Sequence, residues 1–533
     1  MIAPVAAFAS TGDTQAMAAY MRARAADADG KPRLAAKGYA AALAALPGDE
    51  VIAIRAYRQA LAVGDIALAD RAAAVLRHSN VAPNDAEILL LSGALAAGDM
   101  RSADQTVERI AGGSLDFLAP VMRAWLAVAK GEGDPVALLD AEGANPIGAR
   151  YARSHRALLL LAQGKIDDGV AATRAALGAD AGNLDLRLAA AQRLADKGRR
   201  DTAEALLAGD DPVLVRARAM LGEKRRGDGV TTAAEGIALL LTQLASDIGA
   251  DAGSSLSIAL ARSALRLDPD DARTRLVLAR ALAGNGAPDL ALAEIAAIDR
   301  ASPFASLADV QAAMIRGEMG DTQSALRLAQ TRAAAPDATP EFISGYADLL
   351  TNAGRHAEAA AEYARAAEAL RAANRPVPWP LLLQHGAALE QAGRWAEAKP
   401  LLEAALAAAP DEPITLNYLG YSQAERGENL AVAEARIARA LALRPNDGAI
   451  TDSLGWAQFM RGNHAQAVET LEKAAQAEPA DPEINEHLGD AYWAVGRRYE
   501  ARYAWRAARL YADDAASARI ATKIANGPQT AAR

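Results

Sequence analysis

Cysteine is absent from the 533-residue sequence, which excludes a disulfide framework, a thiolate metal site and a cysteine nucleophile. Aromatic residues are scarce, at 4% against 52% hydrophobic overall. The apolar content is therefore chiefly Ala and Leu, both strong helix formers. Ala also lets helices approach closely, so the composition predicts many thin helices packed on near neighbours rather than one thick core. No run of 18 or more apolar residues occurs, so no membrane-spanning helix is predicted. Formal net charge is −9, with no long run of one sign. Phosphate binding needs a concentrated basic surface, and nucleic acid is excluded as the main partner. The most basic short stretch, Lys224-Arg225-Arg226, lies between Gly222 and Gly229 and reads as a solvated loop.

Motifs for catalysis are missing too. There is no Gly-x-x-x-x-Gly-Lys phosphate loop, no Gly-x-Ser-x-Gly elbow and no His-Glu-x-x-His. Asp27-Ala-Asp29-Gly30-Lys31 has the beginning of a calcium loop, but Gly38 stands where a bidentate Glu is required. It reads as a helix start after a polar turn. Of the six histidines, His356 and His464 each fall two residues after a turn glycine, a place that Trp395 holds in another unit. That is a packing slot for a broad ring, not a metal site. The pairs Asp167-Asp168 and Asp210-Asp211 fall at turns, where acidic residues favour helix N-termini. The expectation is a protein without catalytic residues, cofactor or metal.

What the sequence does contain is a repeat. From Trp379 to Asp513 four units recur. A small residue in a first helix appears as Gly386, Gly420, Gly455 and Gly489, at intervals of 34, 35 and 34. A turn glycine follows seven residues later, as Gly393, Gly427, Gly462 and Gly496. An Ala early in the second helix follows, as Ala398, Ala433, Ala467 and Ala501, and Pro410, Pro445 and Pro479 close three of the units. The first glycine and the Ala let two antiparallel helices meet. The turn glycine supplies a permissive backbone where the first helix ends. Proline stops the second helix, because it lacks an N–H and disfavours helix before it. Asp-Pro or Asp-x-Pro then opens the next unit. The 35-residue interval comes from one residue inserted between Gly427 and Ala433.

This pattern resembles the tetratricopeptide repeat. The stretches Asp452-Ser-Leu-Gly-Trp456 and Glu486-His-Leu-Gly-Asp-Ala-Tyr-Trp493 look like bacterial members of that family, and among them proteobacterial envelope-associated repeat proteins. The resemblance implies an all-α solenoid of antiparallel helix pairs, wound as a right-handed superhelix, with protein binding as the usual work. Upstream the period persists in decayed form around Gly64, Gly98, Gly164, Gly198 and Gly354, with Pro47 and Pro269 as further terminal prolines.

The expected organisation is as follows. Residues 1–12 form a disordered start or the remnant of a signal peptide, since Ala7-Phe8-Ala9 has the small-x-small form of a cleavage site without a full signal before it. The protein is then periplasmic or envelope-associated if the signal is real, and cytoplasmic otherwise. Degenerate repeats fill 13–221 and 222–370, with breaks near 112–146 and 222–236 and a proline-rich break from Arg371 to Pro380. Regular repeats fill 379–513, a capping helix 514–526 and a disordered tail 527–533. The upstream repeats read as an Ala-rich spacer.

The resemblance places each first helix along a concave surface. Positions three before, one after and four after the helix glycine share one helical face. They are Leu383, Ala387 and Glu390, then Asn417, Tyr421 and Ala424, then Asp452, Trp456 and Phe459, then Glu486, Asp490 and Trp493. Leu416, Leu419, Leu454 and Leu488 fall on another face and read as core. The predicted peptide groove is Asn417, Tyr421, Asp452, Trp456, Phe459, Glu486, Asp490 and Trp493. Rings bury much area at low entropic cost, so a ligand with apolar anchors and Lys or Arg is expected. The acids would repel a free carboxylate, and the Lys/Arg/Asn set that grips C-terminal carboxylates in some members of the family is missing. The alternative for the rings is packing against neighbouring helices or the capping segment. The leading function is a non-catalytic scaffold for a protein or peptide segment. The alternatives are an envelope-assembly or polysaccharide-export accessory, and a carbohydrate-binding solenoid.

Overall fold

In a computed structural model, residues 11–140, 146–221, 230–249 and 255–528 are described. The basic stretch at 224–226, the candidate signal remnant up to residue 10 and the last five residues lie outside them. The described residues form twenty-nine α-helices and two short 3-10 turns, with no strand. The chain divides into two compact units, Met1–Asp337 and Ala338–Arg533. The boundary falls before the helix pair Pro340–Asn352 and His356–Ala372, so this pair belongs with the regular repeats. Its second helix packs on Trp379–Gln391 across the proline-rich stretch.

In the C-terminal unit the repeat marks have direct geometric meaning. The first helices are Trp379–Gln391, Pro413–Glu425, Gly448–Met460 and Pro482–Ala494. Their partners are Trp395–Ala408, Leu430–Leu443, His464–Ala477 and Arg498–Tyr511. A methyl group on Gly386, Gly420, Gly455 or Gly489 would lie 2.7, 2.7, 2.6 or 2.3 Å from Leu402, Ile437, Leu471 or Trp505 of the paired helix. Those distances are below any real carbon contact, so the glycines set how closely the helices approach. Ala398, Ala433, Ala467 and Ala501 are fully buried on the other side of the same seam. The turn glycines Gly393, Gly427, Gly462 and Gly496 are all left-handed, with φ from 66° to 85°. The inserted residue is visible as well. Asn429 takes a second left-handed conformation, φ 47°, in the one turn that is longer. Pro410, Pro445 and Pro479 each directly follow the C-cap of a second helix.

The N-terminal unit uses the same pairing with different turn chemistry. Gly64, Gly98 and Gly320 are left-handed, and each is followed by an aspartate that caps the next helix. Asp65 accepts from Leu68 N at 3.0 Å, Asp99 from Ser102 N at 3.0 Å and Asp321 from Ser324 N at 3.2 Å. The first break holds two single 3-10 turns, Asp116–Leu118 and Ala137–Leu139, flanking the helix Ala119–Lys130.

The upstream repeats, read from the sequence as an Ala-rich spacer, also pack on one another across their unit. The first-helix face of that unit is filled by its own chain. Ser255–Leu267 lies across Glu50–Val63 and Asn84–Ala96, while Ala233–Ile248 packs on Asn84–Ala96, Ala119–Lys130 and Pro146–Ala162. Two arginines secure the contact. Arg262, buried, donates to the carbonyls of Leu61 and Ala62 at 2.8 and 3.0 Å, at the C-terminal end of a helix. It also pairs with Glu294 at 2.6 Å. Arg266 reaches Asp70 at 2.8 Å. Gly64 and Gly93 leave room for the two guanidinium groups, whose atoms lie 3.2 and 3.0 Å from where a methyl would stand. Gly236 likewise admits the Trp125 ring, which a methyl would meet at 2.1 Å. These are contacts between residues up to 201 positions apart, and no local period encodes them.

Candidate binding groove

Three of the four regular first helices bring their rings together. Trp456 stacks on Phe459 one turn along its own helix, with centroids 4.8 Å apart and planes 8° from parallel. Its other neighbour is His487 of the next first helix, at 4.1 Å and 15°. Tyr421, from the preceding first helix, tilts against the same imidazole at 6.5 Å. His464 closes the far end, 4.9 Å from Phe459. The result is a continuous row, Tyr421–His487–Trp456–Phe459–His464, crossing the first-helix face of repeats two to four. Tyr421 and Trp456 hold equivalent places, one after the helix glycine, whereas His487 stands two before Gly489 and His464 opens a second helix. Tyr421, Trp456 and Phe459 are half-buried, so part of each ring faces solvent.

Polar groups fix the rings. Tyr421 Oη donates to Glu483 at 2.7 Å, and the Trp456 indole N–H donates to Glu425. Both carboxylates are on exposed residues. Asp452, buried beneath the row, pairs with its His487 at 2.9 Å. Burial pulls the His487 imidazole down, but the adjacent Asp452 carboxylate outweighs it, and the group sits above its ordinary value. Burial also pushes the Tyr421 phenol up, with Glu483 adding to the effect. Asn417, one turn before Tyr421, is half-buried, and its Oδ1 has no hydrogen-bond partner among the described residues.

The remaining predicted residues have other partners. Glu486 and Asp490 are buried, not exposed, and the chain's own capping helix Asp514–Asn526 neutralises them. Lys523 reaches Glu486 and Asp490 at 2.6 Å each, and Arg519 reaches Glu486 at 3.0 Å. Asp490 also accepts the Trp505 indole N–H at 3.0 Å. Trp493 leans on Trp505 at 5.5 Å and lies beneath the guanidinium groups of Arg498 and Arg502. A methyl on Gly527 would be 2.3 Å from its ring. The expectation that Asp452, Glu486 and Asp490 stand as free charges facing a ligand is therefore corrected. Buried carboxylates are held with cations supplied in cis, because an unpaired buried charge is costly. The acids left on the groove rim are Glu425 and Glu483.

His487 was not among the predicted residues. Its signal is the distance from Asp452, 35 residues or one more than the 34-residue interval there, which sets the two on neighbouring first helices. Leu416, Leu419 and Leu488 are buried and Leu454 half-buried, as their helical face implied. Leu383 and Ala387 add no ring, and Glu390 is taken by Tyr418 at 3.2 Å and by Arg426. Among the described residues no group of three or more His, Cys, Asp or Glu could hold a metal ion, and no helix is long and apolar enough to cross a membrane.

The tetratricopeptide repeat family model matches residues 253–306, 383–431 and 424–482. A search of curated proteins finds no match. Among solved structures, the chain is similar to a tetratricopeptide repeat protein from Parabacteroides merdae, at 17% identity over 45% of this chain and 92% of that one, TM-score 0.39. It is similar to YrrB, described as a TPR protein with an unusual peptide-binding site, at 17% identity over 34% of this chain and 89% of that one, TM-score 0.28. It is also similar to a chain in the structure of the APC/C hetero-tetramer Cut9-Hcn1, at 14% identity over 96% of this chain and 96% of that one, TM-score 0.40. The family model therefore matches tetratricopeptide-type helix pairs in 253–306 and 383–482, less than half of the chain, and the described residues around them are helical throughout.

Proposed function

We propose that this repeat scaffold holds an extended or helical protein segment against the ring row of its C-terminal repeats, with Trp456 as the central anchor. The observation that carries the reading is the row itself. Three half-exposed rings, Tyr421, Trp456 and Phe459, are held rigid by stacking and by hydrogen bonds to Glu483 and Glu425. Rigid, partly exposed aromatics bind with little further loss of entropy, which is why Trp and Tyr dominate binding energy at interfaces. Glu425 and Glu483 at the rim favour Lys or Arg on the ligand. A free carboxylate is disfavoured here, because the Glu425 and Glu483 carboxylates rim the rings.

The test is titration of the purified full chain with peptides carrying an aromatic or Leu anchor beside Lys or Arg, read through Trp fluorescence. Binding that persists unchanged in Trp456→Ala would remove the groove assignment. Oligosaccharides that compete where such peptides do not would favour the carbohydrate reading. An envelope role rests on the family resemblance and on residues 1–10; export of a reporter fused after the natural N-terminal coding sequence would support it.

A further inference from the structure

The last second helix, Arg498–Tyr511, breaks the rule that the others obey. Aligning the second helices on their buried Ala makes Tyr499, Tyr503, Arg506 and Leu510 equivalent to Ala465, Glu469, Glu472 and Gln476 of the preceding repeat. The two earlier repeats carry only Ala, Pro or Glu at these places. The positions face outward in every repeat, and small or polar residues suit them. In the last repeat they hold two tyrosines and a leucine that are 86%, 72% and 78% exposed. The spacing of four, three and four residues puts all of them on one stripe. Tyr511, 58% exposed, extends its edge.

Charge changes together with the apolar stripe. The helix carries four arginines and one acid, Glu500, on a chain of net charge −9. Arg498 and Arg502 lie over Trp493, but the exposed Arg506 and Arg509 make no ion pair among the described residues. Repetition itself supplies the control, because the same fold position is filled three times without exposed rings or arginine. Packing within the unit therefore does not require them.

The structure assigns this outward face as a second docking surface, and we infer that its partner is an acidic amphipathic protein segment. Tyr and Arg are the residue types enriched where proteins meet, and Lys, which the stripe lacks, is depleted there. Arg506 stands within the stripe, between Tyr503 and Leu510. A contact that covers the apolar residues must therefore bring a carboxylate to a guanidinium, which pairs with it in bidentate fashion. This surface has the opposite charge preference from the groove, so one chain can hold two dissimilar partners at once.

The experiment uses the full chain and a fluorescein-labelled helical peptide with Leu and Glu at i, i+4 spacing, read by anisotropy at low and moderate salt. Two comparison probes are the same peptide with Lys for Glu, and vesicles of phosphatidylserine and phosphatidylcholine. In Trp456→Ala, which lacks the groove's anchor, the acidic peptide is expected to bind at least tenfold more tightly than its Lys counterpart, and more weakly as salt rises. Grafting the preceding repeat's residues (Tyr499→Ala, Tyr503→Glu, Arg506→Glu, Leu510→Gln) is expected to abolish binding while leaving the melting temperature unchanged. Adding Arg506→Glu to Trp456→Ala is expected to invert the preference between the two peptides, while Trp456→Ala alone is expected to bind the acidic peptide as tightly as the parent does. Equal affinity for both peptides in Trp456→Ala, a graft that binds the acidic peptide like the parent, loss of acidic-peptide binding in Trp456→Ala, or capture by vesicles without peptide binding would each overturn the assignment.

Discussion

Two buried histidines show how differently the two units are built. In the N-terminal unit His155 accepts a hydrogen bond from the Trp125 indole at 2.9 Å, and burial depresses its pKa to about 4. In the C-terminal unit His487 is equally buried but faces the Asp452 carboxylate at 2.9 Å, and its pKa is raised. Burial acts on both in the same direction, so the partner decides the sign. The wider contrast has the same form. The first-helix face of the N-terminal unit is closed by a helix pair of its own chain and locked by Arg262. In the C-terminal unit the capping helix covers only the last repeat, and the ring row before it stays half-exposed. One face has become core, and the other retains a surface able to take a ligand.

The comparison can be broken most severely at Arg262. Arg262→Ala leaves Glu294 to Arg275 alone and strips the Leu61 and Ala62 carbonyls of their donor. A loss of about 4 kcal/mol is expected in the N-terminal unit. Urea unfolding followed by hydrogen exchange should show that loss there, with protection of the C-terminal repeats unchanged. Equal loss in both units would mean that they do not unfold separately.

Acid should also separate the units. The depressed value of His155 means its stabilisation is full above about pH 6.5 and is lost as pH falls towards 4, by about 3 kcal/mol. His487 has the opposite sign. Its contribution is full below its ordinary value and is lost as pH rises through the raised one. Imidazole NMR titration should find His155 neutral down to about pH 4 and His487 still charged above 6.5. Two midpoints near 6.5 would refute the partner argument.

Smaller effects test the groove and its scaffold. Trp456→Ala should weaken peptide binding by about 2 kcal/mol, roughly thirtyfold. Trp493→Ala, whose ring packs within the capping region, should instead lower thermal stability and leave peptide affinity nearly unchanged. The smallest change is Gly462→Ala, which forces a side chain into a left-handed turn with φ 85°. It should cost about 1 kcal/mol of stability in the C-terminal unit, visible as a modest drop in urea midpoint.

Much of the C-terminal unit was legible because its determinants are local and recur. Gly386, Gly420, Gly455 and Gly489 meet the paired helix as their spacing implied, and Asn429 occupies the extra place in the longer turn. Tyr421, Asp452, Trp456 and Phe459 were placed on one face by arithmetic on the repeat, and they do come together. Glu486, Asp490 and Trp493 satisfied the same arithmetic, yet they lie against the capping helix. Periodicity states which face a residue occupies, but not whether something covers that face.

The sequence by itself determined the helix pairs, their turns and the close approach at each glycine, because these depend on residues within one repeat. Only the tertiary structure decided which faces remain open. Lys523 on Asp490, the Trp456–His487 stack and Arg262 on Leu61 join residues 33, 31 and 201 positions apart. The first two follow the repeat period once the helices are stacked. The third follows no period, because whether a distant helix pair fills a face depends on how the whole N-terminal unit curves back upon itself.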